Sequence, residues 1–224
     1  MSFFYWRLCY SGDSAGQGGT RVLLLITGGV GSGKSAYAMK WARSLGRESI
    51  RFSCPPFPNE GNRHDYEEDS LSAGLAWKEL TADSAMASSI DRINRESNVY
   101  LADRRVLVVD SLSGWFRAAI GHAKAAGQEP HALERPGEGT IRELLEALLA
   151  YQGKRIVVAE EPYAGLCPDP WERLYAVELA RALRILAEES HAVYRLTAGM
   201  AAEVKGHRVK RGNQTDEHLY PNRR

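Results

Sequence analysis

Val22-Leu23-Leu24-Leu25-Ile26-Thr27-Gly28-Gly29-Val30-Gly31-Ser32-Gly33-Lys34-Ser35 joins an apolar run to a glycine-rich turn closing on Lys-Ser. Its last eight residues fit G-x-x-x-x-G-K-[ST], the Walker A pattern of a phosphate-binding loop. Glycines are needed because the loop must turn tightly enough to aim successive backbone N–H groups at one phosphate, and glycine accepts positive φ. Gly28, Gly29, Val30, Gly31, Ser32 and Gly33 would form this nucleotide-binding cradle. Lys34 would neutralise β- and γ-phosphate oxygens, and Ser35 would ligand Mg²⁺ through its hydroxyl. The helical pattern Ser35-Ala36-Tyr37-Ala38-Met39-Lys40-Trp41-Ala42 follows at once, so the positive end of a helix would face the same charge. A glycine-rich surface turn is the alternative, but such turns rarely sit between an aliphatic strand and a helix.

Outward from the loop, short aliphatic runs alternate with helical patterns. Strands are expected at Val22 to Thr27, Ser49 to Cys54, Arg105 to Asp110, Arg155 to Ala159 and Ala192 to Thr197, and helices begin near Lys34, Asp83, Thr140 and Trp171. This alternation predicts an α/β protein with the P-loop NTPase fold, a mainly parallel sheet with helices on both faces. Ile141, Leu144, Leu145, Ala147, Leu148 and Tyr151 recur at three-and-four spacing, as do Leu174, Val177, Leu179, Leu183 and Leu186; both sets read as core faces. Residues 1–19 read as a flexible leader, 20–204 as the P-loop domain and 205–224 as a loose basic tail. The stretch from Cys54 to Ser72 carries three prolines and the acidic run Glu67-Glu68-Asp69, and reads as a surface loop feeding a short helix.

The chain has 224 residues, 44% of them hydrophobic, enough for a genuine core. A net charge of +1 argues against a nucleic-acid partner. No apolar run approaches the roughly 18 residues of a membrane span, and the aromatic N-terminus is a poor signal peptide, so a cytoplasmic protein is expected. Cys9, Cys54 and Cys167 stand far apart without C-x-x-C spacing, supporting neither a disulfide framework nor a zinc site.

Two further groups carry chemistry. The run Arg105-Val106-Leu107-Val108-Val109 ends in Asp110, where a second magnesium-positioning carboxylate belongs beside a phosphate loop; a turn or cap role is the alternative. The run Ile156-Val157-Val158-Ala159 ends in Glu160-Glu161-Pro162 at the same sheet edge. Neighbouring carboxylates on a strand point to opposite faces, so one of the two should face the site. Glu161 is that candidate, with helix capping or solvation as its alternatives.

These residues resemble the bifunctional adenosylcobinamide kinase/adenosylcobinamide-phosphate guanylyltransferase family of cobalamin biosynthesis, from about Val22 to Lys205. The resemblance rests on the doubled glycine Gly28-Gly29 before Ser32-Gly33-Lys34-Ser35, on Trp77-Lys78, and on Val108-Val109-Asp110-Ser111-Leu112 through Trp115. Val157 to Pro168 is similar to the family's Asn-Glu-Val-Gly-x-Gly-x-x-Pro segment, with Glu160 in the Asn place and Glu161, Gly165 and Pro168 matching. Spacing then runs without a gap through Glu178-Leu179-Ala180 and Val193-Tyr194 to Ala198-Gly199.

The resemblance implies a kinase step, in which GTP or ATP with Mg²⁺ phosphorylates the aminopropanol hydroxyl of adenosylcobinamide. It implies a second step that transfers GMP from GTP to the resulting phosphate through a guanylylated histidine. In the family that histidine lies eight residues before the tryptophan and is followed by Arg-Pro. Counted back from Trp77, its place holds Asp69, the Arg-Pro place holds Ala73-Gly74, and the nearest histidine, His64, comes five residues too early. An imidazole can attack an α-phosphate and later leave, whereas an aspartyl anhydride needs different support. His64 is the possible GMP carrier if an insertion brings it into place, and a solvated loop histidine otherwise. Arg181, Ala182 and Arg184 stand where the family has Gly, Arg and Asn.

The expected catalytic residues are thus Lys34, Glu161 and His64, with Ser53, Cys54 and Asp110 joining the loop as nucleotide-binding residues and Ser35 and Asp110 as metal ligands. The family implies a homo-oligomer, a trimer. Two other readings stay open: a P-loop kinase or NTPase for another small hydroxyl substrate, and a non-catalytic nucleotide-binding protein.

Overall fold

The computed structural model describes residues 21–54, 76–97, 104–129, 140–162 and 169–206. Its strands are β1 (Val22–Gly28), β2 (Glu48–Ser53), β3 (Ala76–Thr81), β4 (Arg105–Asp110), β5 (Lys154–Glu160), β6 (Ala192–Thr197) and β7 (Met200–Gly206). Among the described residues the helices are α1 (Lys34–Leu45), α2 (Met86–Glu96), α3 (Leu112–Ala125), α4 (Ile141–Ala150) and α5 (Pro170–Glu189). The strands form one sheet in the order β3-β2-β4-β5-β1-β6-β7, parallel throughout except for β7, which runs antiparallel to β6.

Strand alternation sends each buried strand's side chains to two cores. Val22, Leu24, Ile26, Val106, Val108, Ile156, Val158 and Leu196 pack on one face against Ala38, Trp41 and Ala42 of α1. Leu23, Leu25, Phe52, Leu107, Val109, Val157 and Val193 pack on the other against α2 to α5. Each fully buried Leu or Val here contributes roughly 1.5–3 kcal/mol of burial free energy, which is why the central strands read as unbroken aliphatic runs. The expectation of a mainly parallel sheet covered on both faces is met.

Several elements exceed the sequence reading. The helix anticipated near Asp83 starts at Met86. Helix α3 was not foreseen: Gly114 and Gly121 weaken its propensity, but it buries Leu112, Trp115, Phe116 and Ile120, and the Ser111 hydroxyl caps it by accepting the Gly114 N–H. Strand β3 lies at the sheet edge with a largely exposed surface, so its residues lack the buried-strand pattern. Strand β7 turns back from β6 through Ala198 (φ 49°) and Gly199 (φ 79°), the two-residue positive-φ geometry of a tight hairpin. It runs through Lys205, whose Nζ donates to Ala187 O (2.8 Å) and Glu188 O (2.6 Å).

Caps fix the remaining joints. Thr140 and Glu143 form a reciprocal capping box at the start of α4. The guanidinium of Arg155, 1% exposed, donates to Leu149 O and Tyr151 O (2.8 Å), carbonyls that the end of α4 leaves open, and to Gly153 O in the turn that follows. Among the described residues no helix is long and apolar enough to cross a membrane. The expected leader, the loop beyond Cys54 and the tail beyond Gly206 lie outside the described residues.

Candidate nucleotide site

The carboxyl ends of β1, β2, β4 and β5 share one edge, because Gly28 pairs with Glu160 and Leu196 and Ser53 pairs with Asp110. Ligands of open α/β sheets bind at this edge. From it the chain leaves β1 into the loop, with Gly31 at φ 68° and Gly33 at φ 88°. Gly28 has a further reason to lack a side chain, since a Cβ there would lie 2.4 Å from Leu196 O. The loop's top is pinned from outside by the Gly199 N–H, which donates to Ser32 O at 3.1 Å.

Three observations fit this cradle to a polyphosphate. Helix α1 opens on Gly33 with no side-chain cap, as α2 does on Ala85, whereas Ser111, Thr140 and Asp169 cap α3, α4 and α5. Its first-turn N–H groups and positive dipole end therefore face the loop's interior without a side-chain acceptor. Ser32 Oγ is buried there without a hydrogen-bond partner among the described residues. Lys34, 7% exposed, folds its Nζ back to Gly29 O at 2.6 Å, keeping the ammonium over the cradle.

Beside the loop, Ser35 Oγ donates to Asp110 Oδ1 at 3.0 Å. The other carboxylate oxygen faces the buried guanidinium of Arg51, with Nη2 3.1 Å from Oδ2. One hydroxyl and one carboxylate oxygen side by side suit Mg²⁺, which takes few protein ligands and completes its shell with water and phosphate oxygens. Among the described residues no group of three or more His, Cys, Asp and Glu side chains could hold a metal by itself. Ser53 ends β2 next to Asp110, and the Cys54 N–H donates to Asp110 O at 2.9 Å. Burial pushes the Cys54 thiol pKa up and Asp110 adds to the effect, so this cysteine is an inert neighbour rather than a nucleophile.

Glu161 lies just past β5, its backbone N–H donating to Gly28 O at 3.3 Å. Its carboxylate accepts from Thr27 Oγ1 (3.3 Å) and is forked by Arg195, with Nε 2.7 Å from Oε1 and Nη2 2.8 Å from Oε2. Gly29, Val30, Gly31, Ser32, Glu161, Arg195 and the hairpin residues Leu196, Thr197 and Ala198 line one open cleft of about 250 Å³.

The sequence-derived residues Gly28 to Ser35, Ser53, Cys54, Asp110 and Glu161 thus converge on one edge, while His64 lies outside the described residues. Sequence reading missed Thr27, Arg51, Arg195 and the hairpin turn. The available signal was charge in otherwise apolar strands: Arg51 within Ser49-Ile50-Arg51-Phe52 and Arg195 within Val193-Tyr194-Arg195-Leu196.

A family model described as cobinamide kinase / cobinamide phosphate guanyltransferase matches residues 24–204. No curated protein matches the chain. Among solved structures it is similar to the flagellar accessory protein FlaH from Methanocaldococcus jannaschii, at 15% identity over 83% of this chain and 78% of that one, with a TM-score of 0.41. A prototypical ATPase from the type III secretion system of pathogenic bacteria shares 13% identity over 81% of this chain and 56% of its own, with a TM-score of 0.42. The ATPase EscN from the enteropathogenic E. coli type III secretion system shares 15% identity over 80% of this chain and 43% of its own, with a TM-score of 0.47.

Proposed function

This chain belongs to the cobinamide kinase / cobinamide phosphate guanyltransferase family, and from that membership we propose that it is a nucleotide-dependent kinase phosphorylating a hydroxyl of adenosylcobinamide in cobalamin biosynthesis. The observation that carries the kinase reading is the uncapped start of α1 over the glycine loop, with Ser32 Oγ left unsatisfied inside it. Such a cradle suits the polyphosphate of GTP or ATP.

The loop N–H groups and Lys34 would stabilise charge on the transferring phosphoryl group. Ser35 and Asp110 would hold Mg²⁺, which when bound neutralises phosphate charge. Glu161 would orient the acceptor hydroxyl and take its proton. The hydroxyl oxygen bonds to the γ-phosphorus, the bond to the bridging oxygen breaks, and its electron pair leaves with the nucleoside diphosphate. GMP transfer through His64 is a separate proposal that rests on the family resemblance alone, as does a trimeric assembly; a cytoplasmic location is proposed from the N-terminal sequence and the lack of a long apolar run. Residues 20–204 with the end of β7 form the catalytic unit in this reading.

The test is mass spectrometry of adenosylcobinamide incubated with Mg²⁺ and GTP or ATP, using wild type and Lys34→Ala. The expected product is the phosphate ester, absent with Lys34→Ala. Ester without its GDP derivative supports a kinase alone, whereas nucleotide binding without any ester supports the non-catalytic reading.

A further inference from the structure

We propose that Arg195 is a γ-phosphate contact that trades partners: it holds Glu161 while the cleft is empty and releases it when a nucleoside triphosphate enters. This deepens the kinase reading and rests on it.

Arg195 lies two residues before the end of β6, paired in register with Thr27, the residue immediately before the phosphate loop. Its side chain is 59% exposed, and its Nε and Nη2 engage the two carboxylate oxygens of Glu161, at 2.7 and 2.8 Å. Both residues line the same cleft as Gly29 to Ser32. A guanidinium forks onto phosphate oxygens as readily as onto a carboxylate, and the terminal phosphate of a triphosphate carries the denser charge.

The same pairing bears on the carboxylate. Glu161 accepts from Thr27 Oγ1 and from Arg195 Nε and Nη2, so both of its oxygens already face donors rather than a substrate hydroxyl. Moving Arg195 to the terminal phosphate leaves Glu161 held by Thr27 and open to a substrate hydroxyl. Base and phosphate contact are then assembled by the same event, triphosphate entry, and a diphosphate is too short to trigger it.

The experiment is calorimetric titration of triphosphate and diphosphate, with Mg²⁺ and without corrinoid, into wild type, Arg195→Ala and Glu161→Gln. The exposed position of Arg195 makes both variants suitable for folding checks by thermal melting. Arg195→Ala is expected to weaken triphosphate binding about 10-fold while leaving the diphosphate within about 2-fold, the loss of one charge-assisted contact. Glu161→Gln removes the competing charge, so triphosphate binding is expected to strengthen while phosphoryl transfer falls. Opposite shifts in the triphosphate-to-diphosphate ratio support partner exchange. An unchanged ratio in both variants, or equal losses for both nucleotides, overturns it and leaves the kinase reading standing. Wild type that binds neither nucleotide overturns both, and the expected opposite shifts with no esterified corrinoid in the separate product assay overturn only the kinase reading.

Discussion

Ser35 Oγ and Asp110 Oδ1 lie 3.0 Å apart across 75 residues of sequence. The hydroxyl stands in the first turn of α1 and the carboxylate ends β4, which is separated from β1 by β5. Only the parallel crossovers that insert β5 between them bring the two oxygens together, so the metal-suited pair is a product of topology.

Replacing Ser35 with Ala should leave stability nearly unchanged but remove the magnesium-dependent part of nucleotide affinity, a loss of about 10-fold with Mg²⁺ and little change in chelator. Calorimetry in the two buffers checks this. Asp110→Ala should behave differently, because it removes the carboxylate facing buried Arg51 and should destabilise the fold by about 3 kcal/mol.

Gly28→Ala places a methyl group 2.4 Å from the Leu196 carbonyl oxygen at φ 150°. Backbone must move on both strands, with an expected cost of about 2 kcal/mol and a fall in melting temperature of about 4–8 °C. A melting temperature equal to wild type would contradict the close packing of β1 on β6.

Thr140→Ala breaks the capping box of α4, whose apolar face reaches the core through Leu144, Leu145 and Leu148. Urea unfolding should show a loss of about 1 kcal/mol with an unchanged slope. Nucleotide affinity should not change, since this helix packs on the face of the sheet opposite α1.

Acid stability gives a separate check. Asp169 accepts the Trp171 N–H and lies 3.3 Å from Lys124, and these interactions hold its carboxyl below the usual value of 3.8. A pKa lowered in the folded state means a contribution present above the unfolded value and lost as pH falls through the folded one. Melting temperature measured from pH 6 down should therefore fall less steeply below about pH 4 for Asp169→Asn than for wild type.

The loop, β1 and Asp110 were legible because each is local: a glycine pattern, an aliphatic run and a carboxylate at its end. Glu161 was legible as a strand-end carboxylate, though its neighbours were not. Arg51 and Arg195 join the site only through strand register, and Thr27 reaches Glu161 only through the pairing of β1 with β5, neither of which a single sequence states. Helix α3 was hidden by its two glycines, and β3 and β7 by exposure, since an edge strand need not show the alternation that burial imposes. Long-range pairing thus decided what reading along the chain could not.

The central claim is that the loop captures a nucleotide polyphosphate through main-chain donors and the Lys34 ammonium. Calorimetric titration of GTP and ATP with Mg²⁺ into wild type and Lys34→Ala tests it most directly. The account predicts saturable binding to wild type for at least one nucleotide and a loss of about 100-fold in the variant. No binding to wild type, or equal affinity in both proteins, would contradict it.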